Sequence, residues 1–175
     1  MRRRAVAAFA LLVALAAPAW AVGLPAAYGA IVVQPAGQPE RLEFDLGPAI
    51  EQAQRQKKSL YVYLGAHDCG FCRRYEAFLA RHAAELVPEF ASRYVVVDLR
   101  STLSVPARLV HLKAGGRSLP YAEFQAAIGD ERTRQLIYPT VWLLDTRLEP
   151  LIQMPSGAGT FQTVAEQLEI LRLEQ

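Results

Sequence analysis

The chain has 175 residues, 19 basic and 17 acidic, for a formal charge of +2, and 52% of its residues are apolar. That length suits one domain with a substantial core, and so even a charge balance gives no reason to expect nucleic acid or an acidic membrane surface as a partner. With two cysteines and three histidines, none of them forming a second ligand pair at metal-binding spacing, a four-ligand structural zinc is excluded as well.

Residues 1–21, MRRRAVAAFALLVALAAPAWA, carry three arginines, then an apolar run over residues 5–17, then Ala19-x-Ala21. This is the pattern of a secretory signal peptide cut after Ala21, because the run is shorter than the ~20 residues needed to span a bilayer. Cleavage removes three basic residues and no acidic one, leaving 154 residues with 16 basic against 17 acidic. A periplasmic or secreted protein is expected.

Residues 22–41 read as an N-terminal extension, rich in Ala, Gly and Pro, with residues 30–33 as a candidate edge strand. The domain proper is expected over residues 42–175. Pro48 suits the first position of a helix that buries Ala49, Ile50, Ala53 and Gln54 and ends near Lys57. Residues 60–64 are apolar or aromatic at every position, which predicts a central strand buried on both faces. A second helix should open at Cys69 with Phe71, Cys72, Tyr75, Phe78, Leu79 and His82 on its apolar face. Arg73, Arg74, Glu76 and Arg81 fall on its solvent face, and Pro88 should end or kink it.

Residues 94–99, YVVVDL, predict another buried strand, parallel to the first across a right-handed crossover. About residues 100–129 the pattern becomes irregular: Pro106 interrupts it and Gly115-Gly116 reads as a flexible joint. A short helix is expected from Ser118 and Pro120 through Tyr121, Phe124 and Ile128, closed by Gly129, and Asp130 should cap another to Leu136. Tyr138-Pro139-Thr140 then leads into a strand over residues 141–144. A turn, an antiparallel strand at 151–154, a turn at Ser156-Gly157 and a closing helix with Phe161, Val164, Leu168, Ile170 and Leu171 buried complete the chain.

The cysteines are spaced C-x-x-C. As a staple they would close a loop of four residues, worth only about 2 kcal/mol by chain entropy, so the pair reads as chemical. At a helix N-terminus the sulfur of Cys69 meets unpaired N–H groups that favour a thiolate. Cys72, one turn on, falls on the apolar side. An exposed, attacking Cys69 and a buried, resolving Cys72 follow. His67 and Asp68 flank the pair with opposite electrostatic effects, and Arg73 and Arg74 read as a solvated patch. No phosphate loop, nucleophile elbow or metalloprotease helix is present.

Cys69-Gly70-Phe71-Cys72 followed by Tyr138-Pro139-Thr140, in an exported strand-helix-strand setting, resembles the thioredoxin superfamily over roughly residues 44–171. The resemblance implies an α/β thioredoxin fold: a central mixed sheet of four to five strands flanked by helices, with an insertion before a cis Pro139. It implies a thiol:disulfide oxidoreductase that works by dithiol–disulfide exchange on exported proteins without a cofactor. Cys69 and Cys72 would be catalytic, and Gly70, Phe71, Tyr138 and Pro139 would line the substrate groove. The Gly-Phe dipeptide is similar to the Gly-Tyr of periplasmic disulfide isomerases, which leans the reading towards a reductase or isomerase-like role. A membrane thiol:disulfide reductase would supply electrons, and the short N-terminal segment implies a monomer.

Two positions depart from the family pattern. Asp68 stands where Trp is common, and Tyr63 where a buried Asp assists proton removal from the resolving thiol. The alternative is a metal-binding or adaptor module with the same fold, holding copper through Cys69 and Cys72, with His67 as a further ligand.

Overall fold

The computed structural model describes residues 23–38, 40–132, 135–152 and 163–172. The expected signal peptide, Met154, the Ser156-Gly157 turn and Phe161 lie outside them. The described chain is α/β, and a five-stranded mixed sheet is its centre. β3 (Ser59–Ala66) is the middle strand, paired in parallel with β4 (Tyr94–Ser101) from Ser59 opposite Tyr94 to Ala66 opposite Ser101. β1 (Ile31–Val33) adds in parallel to β4 as one edge. β7 (Thr140–Leu144) runs antiparallel to β3, and β8 (Pro150–Ile152) antiparallel to β7, giving the order β1-β4-β3-β7-β8.

The unbroken apolar run of β3 is explained by two cores, one on each face. Leu60, Val62, Leu64 and Ala66 pack with Ala49, Ile50 and Ala53 of α1 (Gly47–Gln56) and with Tyr121 and Phe124 of α4 (Tyr121–Ala127). Tyr61 and Tyr63 point the other way. They join Tyr75, Phe78 and Leu79 of α2 (Gly70–Arg81), Leu86 and Phe90 of α3 (Ala83–Arg93) and Leu171 of α5 (Val164–Arg172). In that core the Tyr75 hydroxyl donates to Gln167 Oε1 at 2.6 Å and also meets the Tyr61 hydroxyl. This explains a fully buried Gln167 on a helix whose apolar stripe is short.

Several expectations are corrected. Order begins before residue 42, although the edge strand expected at residues 30–33 is found as β1: the Tyr28 hydroxyl donates to the Leu79 carbonyl at 2.9 Å and ties the extension to α2. The region after β4 is not irregular but holds a second sheet, β2 (Leu42–Asp45), β5 (Val110–Ala114) and β6 (Arg117–Pro120), in the order β2-β5-β6. Gly115 and Gly116, at φ 55° and 76°, form its hairpin turn rather than a joint; two consecutive positive φ angles are what a tight type I′ turn needs.

Pro88 neither ends nor visibly interrupts a helix. It sits inside α3 on the exposed side, where water can reach the carbonyl its ring leaves without a partner, and the helical break falls at His82. Asp130 caps no helix: residues 130–132 and 135–136 are not helical. Its buried carboxylate instead gathers donors from Arg132 and Trp142, the latter at 2.8 Å. Among the described residues no helix is long and apolar enough to cross a membrane.

Candidate functional site

β3 stops at Ala66 because its last carbonyl turns to accept the Cys69 N–H at 3.1 Å, and His67-Asp68 makes the corner. The end of β4 braces that corner. The His67 amide donates to the Ser101 carbonyl at 3.1 Å, and Asp68 Oδ1 accepts the Leu103 N–H at 2.8 Å. Both flanking side chains are therefore structural contacts of an exposed turn.

Cys69 is the N-cap of α2, with extended backbone (φ −90°, ψ 121°), and its Sγ accepts the Cys72 N–H at 3.1 Å. One orphan donor of the first turn is thus aimed at sulfur. The two sulfurs are at disulfide distance. Cys72 Sγ faces inward and accepts the Ala66 N–H at 3.5 Å.

Cys72 is fully buried, but Cys69 is only 3% exposed, so the expected open nucleophile is a recessed sulfur. The cause is the ring of side chains around it. Cys69, Gly70, Phe71, Arg74, Leu103 and Tyr138 line an open cavity of about 580 Å³. Phe71, predicted on the buried face of α2, is 45% exposed and stands at this mouth with the Arg74 guanidinium 4.4 Å from its ring centroid. Leu103, 54% exposed, faces it from the end of β4 and was not singled out in the sequence.

The Tyr138–Pro139 bond is cis. The Tyr138 side chain lines the cavity and donates from its hydroxyl to Ser101 Oγ at 2.8 Å; burial pushes its own pKa up, with Ser101 opposing. Pro139 is buried and not part of the cavity lining. The structure therefore brings Cys69, Gly70, Phe71 and Tyr138 to one opening, while Cys72 and Pro139 are buried and outside its lining.

No protein-family model matches this chain, and no curated protein matches it.

Behind the pair lies a group that sequence reasoning missed. Glu76, expected on the solvent face, is 8% exposed, and its Oε1 accepts the Tyr63 hydroxyl at 2.9 Å. Positions 72, 75, 76 and 79 share one side of a helix, so the spacing held the signal and only the charge argued against burial. Asp98 of β4, 1% exposed, adjoins it with Arg100 Nη2 at 2.7 Å. Burial is the main influence on both acids and raises both pKa values; hydrogen bonds from Tyr63 and the Gly23 backbone oppose this at Glu76, and the Leu24 amide and Arg100 oppose it at Asp98. Gly65 has to be glycine here because a Cβ would lie 2.5 Å from the Tyr63 ring. Among the described residues no three of His, Cys, Asp and Glu are grouped so as to hold a metal ion, and His67 Nδ1 faces the Ser101 carbonyl at 3.2 Å.

Proposed function

We propose that this protein is an exported thiol:disulfide oxidoreductase of thioredoxin type, in which Cys69 attacks and Cys72 resolves. The observation that carries the reading is the placement of Cys69 Sγ. It caps a helix N-terminus, accepts the Cys72 amide, and sits at the floor of an open cavity while its partner sulfur is enclosed. A structural cystine has no need of that asymmetry. The sheet order with β7 antiparallel to β3, and the cis bond that ends beside the cavity, support the same fold assignment. The signal-like residues 1–21 support export, with cleavage after Ala21.

In the reducing direction, the Cys69 thiolate attacks one sulfur of a substrate disulfide; a mixed disulfide forms and the other substrate sulfur leaves as a thiolate. Cys72, deprotonated, then attacks Cys69 Sγ, the mixed disulfide breaks, and the first substrate sulfur leaves. Two electrons pass to the substrate, and the protein is left with the Cys69–Cys72 disulfide. A membrane thiol:disulfide reductase would return the electrons. The helix N-terminus stabilises the Cys69 thiolate that makes the first attack.

The recessed sulfur restricts what can react. A substrate cysteine has to be carried in on a projecting or unfolded segment, and Phe71 and Leu103 offer it apolar contact. Proteins with misplaced or mobile disulfides are the fitting substrate class, which agrees with a reductase or isomerase-like role. The test is catalysis of insulin disulfide reduction by the mature protein with a dithiol donor. Acceleration over the donor alone is expected; a rate equal to the donor's own would overturn the assignment.

A further inference from the structure

Asp68, Arg73 and Arg74 stand closest to the cysteines among the Asp, Glu, Lys and Arg residues of the sequence, and the fold gives them different places. Asp68 Oδ1 is held by the Leu103 amide at 2.8 Å, and Arg73 Nη1 donates to the His67 carbonyl at 3.3 Å; neither lines the cavity that Cys69 opens into. Arg74 does. It is exposed, and its guanidinium lies over the Phe71 ring, 4.4 Å from the centroid. The expected solvated patch is thus divided, one arginine bracing the turn and the other at the mouth of the site.

Nothing local neutralises this cation. On a helix the neighbours of Arg74 are the residues three and four away, Gly70, Phe71, Ala77 and Phe78, and none is acidic. Among the described residues its guanidinium makes no ion pair and donates no hydrogen bond. A cation on an aromatic face keeps its N–H groups for an acceptor, and a guanidinium held that way offers a carboxylate a planar fork. Phe71 is therefore both an apolar wall and the platform of the charge. Of the described residues lining the opening, Arg74 alone is charged.

The reacting sulfur decides where an acceptor would come from. A cavity of about 580 Å³ is roughly 8 Å across, and two residues of extended chain span at most ~7 Å. Side chains two apart on an extended segment point the same way. A substrate cysteine that reaches Cys69 thus carries the side chains two places before and after it into the opening where Phe71, Leu103 and Arg74 stand.

We propose that Arg74, seated on Phe71, is a specificity residue that selects disulfides whose cysteine has an acidic side chain two residues away in an otherwise apolar segment. The proposal rests on the oxidoreductase reading and names the substrate class of that same site. The carboxylate takes no part in bond making. The Cys69 thiolate displaces one sulfur of the disulfide, the other leaves as a thiolate, and Arg74 acts on the encounter and on the mixed disulfide. Its charge also offsets the repulsion between that thiolate and an incoming acid. A rim charge of this kind acts through the association rate and makes it salt-dependent.

The test compares symmetrical disulfides of three short peptides that differ only at the positions two residues from the cysteine, which carry Asp, Asn or Lys. The mature protein is supplied with dithiothreitol as donor. Each kcat/KM is divided by the rate constant of dithiothreitol alone on the same peptide, which removes the effect of flanking charge on the disulfide itself. A preference of about tenfold for Asp over Lys is expected at low ionic strength, with Asn between, shrinking to about twofold at ~1 M salt, where the screening length is ~3 Å. Arg74→Gln should flatten the series and Arg74→Glu should invert it. Inversion separates charge selection from a change in Cys69 acidity, which would move all three peptides together. Equal normalised rates with the parent protein, or an order that Arg74→Glu leaves unchanged, overturn the role of Arg74 and leave the reductase reading standing. Reduction of none of the three peptides beyond the dithiothreitol rate overturns both.

Discussion

Cys69→Ser is expected to abolish insulin disulfide reduction, a loss on the order of 10³-fold or more, because among the described residues no other sulfur lines the cavity. Cys72→Ser should fail differently. Its Cys69 can still attack, but the sulfur that would release the substrate is gone, so a mixed disulfide accumulates and survives alkylation. Mass spectrometry of each variant after brief exposure to a cystine peptide reads this directly: one peptide adduct on Cys72→Ser and none on Cys69→Ser. The difference follows from burial, since Cys72 is fully enclosed and Cys69 alone lines the opening. Equal adduct formation by the two variants would mean that the sulfurs are interchangeable, which the helix N-cap geometry forbids.

The largest effect on stability is expected at a residue remote from the sulfurs. Asp130 is 1% exposed and accepts from the Arg132 amide at 2.9 Å, from its guanidinium at 2.7 Å, and from Trp142 Nε1 at 2.8 Å. Burial pushes its pKa up, but the Arg132 and Trp142 donors outweigh this and hold it at about 2. Asp130→Ala leaves a largely buried guanidinium and an indole N–H without that carboxylate, at a cost of roughly 3–5 kcal/mol. Urea denaturation of the variant at neutral pH measures it.

The pH sign is fixed by the same contacts. The folded pKa is depressed, so the stabilisation is present above the unfolded value of ~3.9 and disappears as pH falls through about 2. It amounts to roughly 2–3 kcal/mol for the titration alone. The denaturation midpoints of Asp130→Ala and the parent should therefore draw closer between pH 4 and pH 2. A variant as stable as the parent at neutral pH would refute the anchoring role.

Much of the central sheet was legible because its signals are local. The uninterrupted run before Gly65 and the YVVVDL run are what strands buried on both faces look like, and the helix after the first follows from the 3.6-residue period. The cysteines at the head of α2 were legible for the same reason. The second sheet was not: β2 pairs with β5, Leu42 opposite Val110, across more than sixty residues, and neither strand is long or apolar enough to announce itself. Gly115-Gly116 was visible, but a two-glycine turn and a flexible joint look alike until the flanking strands are known.

Asp130 misled through its type. An Asp after a glycine is a good helix cap, yet the donors of Arg132 and Trp142 converge on it and fix it as an anchor. Phe71 and Glu76 exchanged their expected places for a related reason. The helix begins at the end of the sheet, where its first turn overhangs the cavity, so an apolar side chain there faces the opening while a carboxylate one turn further in is covered. Periodicity gives the angle around a helix but not where the neighbouring layer ends.

In the proposed function Cys69 and Cys72 form an exchangeable dithiol rather than a permanent cystine. Equilibrating the mature protein in graded glutathione and dithiothreitol buffers, then trapping with an alkylating reagent and weighing the products, tests it most directly. A two-electron transition is expected, tenfold in ratio per ~30 mV, with its midpoint above ~−300 mV. A pair that remains oxidised in buffers well below that potential would be a structural disulfide, and the oxidoreductase account would be contradicted.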